Sequence, residues 1–162
     1  MNNKLSFIKN PGFYLMAVVC VLVLVSLCTY GATGATQFNK ETIATSVIAL
    51  GVVSILLALA CIAADIFLPS TKFANLLQYT RIIKYVVWLL LFAAFLELIV
   101  TEFNFIGNVF VATDPVDTVF IVNYLVAIIP ILASAVCALV AGLIQRRSAA
   151  KEGRKINEEA IQ

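Results

Sequence analysis

Polar and apolar residues come in blocks along this chain rather than in alternation. Four apolar blocks run from Phe13 to about Tyr30, Ile43 to Ala64, Ile82 to Val100 and Val119 to Ile144. Each is near the length, about 20 residues, that carries a helix across the bilayer's hydrocarbon core. Short alternating strands separated by turns, the pattern of an outer-membrane barrel, are not seen. Lipid offers the backbone no hydrogen-bond partner, so runs of this length are helical. The pattern predicts an all-α polytopic membrane protein: a four-transmembrane-helix bundle, one membrane domain over residues 1–162, with a polar tail at 146–162.

Composition agrees. Of 162 residues, 62% are hydrophobic and 12% charged, against about 45–50% and about 25% in soluble domains. A net charge of +2 gives no footing for nucleic acid, and the first partner expected is the lipid bilayer. The positions of the charges say more than their sum. Lys4 and Lys9 precede the first block, Lys72, Arg81 and Lys84 lie around the second connection, and Arg146, Arg147, Lys151, Arg154 and Lys155 follow the last block. Lys40 alone is on the other side. The positive-inside rule then puts both termini in the cytoplasm. A cleaved signal peptide is the alternative for the first block, with Gly31, Ala32, Gly34 and Ala35 following it. The apolar run is longer than the ~7–15 residues of such a peptide, so a retained helix is expected.

Between the second and third blocks, Pro69-Ser70-Thr71 stops one helix and starts another. Lys72–Thr80 either lies along the cytoplasmic interface or extends the third helix inward; no helix breaker separates it from Ile82, so the extension is expected.

Two phrases echo each other, TQFN at Thr36 to Asn39 and TEFN at Thr101 to Asn104. The second block carries Val47, Gly51, Ser54, Ala58, Cys61 and Asp65 in steps of four and three, and the fourth carries Asn123, Ala127, Pro130, Ser134, Cys137 and Ala141. Such spacing traces one helix face. Faces of small residues let membrane helices approach closely, which makes Gly51, Ser54, Ala58, Pro130 and Ser134 the candidate packing positions. Two repeated helical hairpins would explain the echo; convergence on a packing stripe would explain it equally. The longer second outer loop, between the third and fourth blocks with Gly107-Asn108 and Asp114-Pro115 as turns, is the one elaborated loop.

Candidate chemistry is sparse. Histidine is absent, which removes bis-His haem ligation, His-based zinc sites and His acid–base catalysis. The cysteines Cys20, Cys28, Cys61 and Cys137 all lie in apolar blocks and form no C-x-x-C pair, so they are expected to pack as small hydrophobes. Nucleotide-binding and hydrolase motifs are missing, and Asp114 with Asp117 is too little for calcium. No cofactor, metal or catalytic residue is expected. Three intramembrane polar groups remain: Asp65, Glu97 and Asn123. Asp65 is expected to form an interfacial ion pair with Arg81, Lys84 or Arg146. Glu97 either reaches up to the interface or faces the bundle interior near Thr101 and Asn123 as a cation-attracting group.

KNPGFYL (Lys9 to Leu15) together with FIGNVFVATD (Phe105 to Asp114) resembles small four-span membrane proteins of gut-type Gram-positive bacteria, a group with no established activity. The resemblance implies a bacterial plasma membrane. The expectation is a non-enzymatic integral membrane protein, an accessory or interaction subunit working with a membrane-protein partner or as a homo-oligomer. The alternative is a small oligomeric transporter or channel. Whether Glu97 and Asn123 face lipid or a wet interior separates the two.

Overall fold

The computed structural model describes residues 11–34, 44–67, 74–101, 122 and 125–144, with side chains at all of these except 33–34 and 74–78. The protein is all-helical there. Helix α1 is Pro11–Gly34, α2 is Thr45–Phe67 and α3 is Ala74–Thr101; α4 is Leu125–Ile144. Each contains a stretch of 20 to 23 residues long and apolar enough to cross a membrane. At ~1.5 Å per residue, such stretches reach about 30–35 Å, the thickness of the hydrocarbon core.

Proline opens α1 at Pro11, where its missing N–H costs nothing because the first turn has no acceptor for it. α3 begins at Ala74 and continues unbroken through Ile82, so the segment before the third apolar block is an extension of that helix.

The helices pack as an antiparallel ring. Tyr30 near the end of α1 meets Ala44 before α2, and Asp65 near the end of α2 meets Lys84 in α3. Leu98 at the end of α3 packs with Ala127 and Ile131 early in α4. Ser26 of α1 closes the ring by donating to the Ala127 carbonyl of α4. One end of the bundle therefore gathers Pro11, Phe67, Ala74 and Ile144, and is called the terminal end. The other gathers Gly34, Thr45, Thr101 and Leu125, and is called the distal end.

Every helix buries a face in steps of three and four. The buried positions are Met16, Val19, Val23, Ser26 and Tyr30 in α1; Val47, Gly51, Ser54, Ala58 and Cys61 in α2; Thr80, Lys84, Val87, Leu91, Ala94 and Leu98 in α3. In α4 they include Ala127, Ile131, Ser134, Ala138 and Ala141. A strict seven-residue repeat keeps one seam facing its neighbours and belongs to left-handed packing at shallow crossing angles. Large aliphatic side chains such as Val21, Leu56, Leu89 and Ile129 stand outside. In water this surface would aggregate; in lipid it is matched to its solvent.

The repeat also accounts for the likeness between hairpins. The buried face of α2 slides onto that of α4, and that of α1 onto that of α3, because all four share the same step. Packing four helices requires this and needs no duplication. On α4 the buried face runs through Ile131 and Ala138, while Pro130 and Cys137 are half-buried at its edge. The stripe drawn from sequence took the opposite phase of three and four. Asn123, the TQFN phrase, the tail and most of the second outer loop, between α3 and α4, lie outside the described residues.

Candidate functional site

Four charged side chains fall among the described residues: Asp65, Arg81, Lys84 and Glu97. Lys84 follows Thr80 by one turn on the inward face of α3, and Asp65 follows Cys61 by one turn on the inward face of α2. Because α2 and α3 run antiparallel, the two meet at the terminal end. Lys84 Nζ donates to Asp65 Oδ2 at 3.0 Å, with the side chains 0% and 5% exposed. Neither water nor lipid reaches this ammonium, and Asp65 is its partner among the described residues.

Of the bases open to Asp65 from sequence, Lys84 is the one it meets among the described residues; Arg81 is half-buried, and Arg146 lies outside them. The pair sits inside the bundle rather than at its water-facing surface. The physical reason is the register of α3. Counted from Ile82, Lys84 looks terminal; counted from Ala74 it lies well within the helix, and its place in the seven-residue repeat turns it inward.

Cys61 supports the same corner. Its thiol donates to the Thr80 carbonyl at 3.7 Å, the carbonyl one turn before Lys84 on the same helix. All four cysteines are free thiols. Cys61 belongs to the apolar core, and Cys20 and Cys137 pack against it. Among the described residues, no three His, Cys, Asp or Glu side chains come together as a metal site.

Glu97 is placed differently. It is exposed, on the side of α3 next to α2, while its neighbour Leu98 turns into the core. Ser46 of α2 donates to Glu97 Oε1 at 3.0 Å. Thr101, one turn on, spends its hydroxyl on the Glu97 backbone carbonyl at 2.8 Å and does not join the carboxylate.

The small-residue positions serve contact between helices. A Cβ on Gly51 would stand 2.8 Å from Leu27 Cδ2, so glycine lets this α1 side chain lie against the α2 backbone. Ser54 and Ser134 are buried and return their hydroxyls to their own helices, at the Leu50 and Ile131 carbonyls, both 2.7 Å. Ala58 is in the core with Cys61, Val87 and Ala138.

Sequence reasoning missed Ser26 and Tyr30. Ser26 bridges from α1 to α4 near the turn where Pro130 cannot donate. Tyr30 receives the Ala44 N–H at 2.9 Å, covering one of the donors a helix start leaves free. Both continue the spacing of Val19 and Val23, so the signal was present in the first apolar block.

The polar interior thus does structural work at every position just described: a neutralised ion pair, hydroxyls on carbonyls, a tyrosine on a helix start. No protein-family model matches the sequence, and neither a curated protein nor a solved structure matches it.

Proposed function

We propose that this multi-pass membrane protein is a non-enzymatic accessory or interaction subunit of a larger assembly, in a bacterial plasma membrane, with both termini cytoplasmic. One observation carries the reading: among the described residues the buried charges, Lys84 and Asp65, neutralise each other, whereas the exposed carboxylate of Glu97 faces outward beside Ser46. A translocation pathway wants polar groups converging on a shared interior, and Glu97 is turned away from it. Loss of the Glu97 charge is therefore expected to leave permeability untouched. In proteoliposomes under a pH gradient, wild type and Glu97→Gln should show the same low proton flux. Robust flux abolished by Glu97→Gln and not by Glu102→Gln would make the protein a transporter instead.

The alternative, a small oligomeric transporter, draws on the buried Lys84–Asp65 pair, since paired ionisable groups in membranes often mark ion routes. Here the pair is closed off from solvent, which favours the accessory role.

Orientation follows from the sequence positions of the basic residues, before the first span, around the link between α2 and α3, and after the last span. With native cysteines replaced, single cysteines at Gln37 and Asp114 should label from outside intact cells, and those at Ser70 and Gly153 only after permeabilisation. External labelling at Gly153 would overturn the four-span topology.

A further inference from the structure

The interior of the bundle explains its own polar groups; the seam between α2 and α3 does not explain Glu97. This carboxylate is exposed on a stretch of α3 apolar enough to span a membrane. It lies four residues short of the helix end at Thr101, about 6 Å along the axis. Ser46 gives it one hydrogen bond and no positive charge. Among the described residues the basic side chains are Arg81 and Lys84, and neither can supply that charge, because both lie at the terminal end.

One turn further into the membrane, the same seam carries Ala49 on α2 and Ala93 on α3, both exposed. Helical spacing sets Ala49 on the side of Ser46, and Ala93 on the side of Glu97. Leu96, Leu89 and Leu56 rise on the exposed surface around them. A low spot beside a polar group combines the two features that hold membrane helices together: close backbone approach and an interhelical hydrogen bond.

We propose that this seam docks a transmembrane helix of a second protein, one carrying a lysine or arginine at the depth of Glu97. The proposal rests on the accessory-subunit reading and names the chemistry of its partner. Charge decides the occupant. A two-fold pairing of this chain through the seam would bring two Glu97 carboxylates together, with no described basic residue at that end to separate them. A basic side chain from another helix instead neutralises the carboxylate while its own backbone rests on Ala49 and Ala93.

The test uses the full chain and a defined probe, reconstituted together in phosphatidylcholine vesicles. The probe is a single-span leucine–alanine helix with one lysine a turn below its distal end, and a leucine at that position serves as control. Energy transfer between labelled chain and probe reads association. The lysine probe should bind wild type about tenfold more tightly than the leucine probe, the scale of one interhelical polar contact. Glu97→Gln, which keeps the shape and can still accept from Ser46, should erase the preference. Ala93→Leu should weaken binding with the thermal unfolding of the chain unchanged. Equal binding of the two probes would mean that Glu97 only reaches the interface, and would sink the proposal. So would a preference that survives Glu97→Gln, tight self-association through the seam, or loss of the preference when phosphatidylethanolamine is added. A native partner that co-purifies with wild type and Glu97→Gln alike would leave the accessory role standing and remove this face alone.

Discussion

Asp65→Asn should produce the largest loss of stability of any conservative change in the bundle. The substitution keeps the size and one oxygen acceptor, but it leaves the Lys84 ammonium without a counter-charge at a position with no exposure. Removing one partner of a buried pair costs about 3–5 kcal/mol, because the remaining ion is desolvated for nothing. In detergent this should appear as a large fall in the unfolding temperature, and Lys84→Met should do the same from the other side. The double change Asp65→Leu with Lys84→Met should recover most of the loss. Replacing both ions by apolar groups is often neutral or stabilising, since no charge is then left to desolvate. If the double variant is as weak as either single one, the pair contributes net stability and the desolvation argument fails here. A single variant as stable as wild type would show that Lys84 reaches water. Either result is readable by circular dichroism on heating.

The spans were legible in the sequence because hydropathy is a property of a whole segment. The four apolar blocks became the four helices; α2 begins at Thr45, close to the start of its block at Ile43, whereas α3 begins more than two turns before its block, at Ala74. The face of α2 was equally legible: Gly51, Ser54 and Cys61 stand out in a helix otherwise rich in leucine, isoleucine, valine and alanine, and their step of three and four carries the face on to Val47 and Ala58. On α4 the same rule left its phase open. Pro130 and Cys137 are as distinctive as Ile131 and Ala138, and only packing decides that the latter pair turns inward.

Depth was the least legible quantity. Lys84 looked terminal because the apolar block starts at Ile82, although the helix was expected to run on before it; what buries the ammonium is its place in the inward repeat after Thr80. Burial of a lysine also runs against its ordinary preference, so no composition rule would point to it. Glu97 was left open between interface and interior for a related reason. Residues 97 and 98 are adjacent in sequence and about 100° apart around the helix, so one faces out while the other is in the core. Which of the two was a matter for the repeat, fixed by Leu91 and Ala94.

Gly51→Leu should be the second large effect. The space a Cβ would need is held by Leu27, whose Cδ2, Cδ1 and Cγ stand 2.8, 3.0 and 3.2 Å from it. A single methyl can be met by turning the end of the Leu27 side chain, which is half-buried and has room to move. Gly51→Ala should therefore be mild. A leucine cannot be met that way: its branched end must enter the layer held by Leu27, so α1 and α2 have to part along the contact. Overpacking of this kind costs about 1–3 kcal/mol, and more where a backbone has to move. In lipid the loss falls on van der Waals contact between helices, which is the main force holding them together. Ser134→Leu should act in the same direction, because Ser134 is fully buried among Ile131, Ala135 and Ala138 on α4. Ala63→Leu gives the comparison, since Ala63 is exposed on α2 and meets lipid. Thermal unfolding in one detergent should rank the four as Ala63→Leu near wild type, Gly51→Ala slightly below, and Gly51→Leu and Ser134→Leu well below. Equal losses at Ala63 and Gly51 would mean that α2 has no privileged packing face, and the seven-residue repeat would lose its meaning for this bundle.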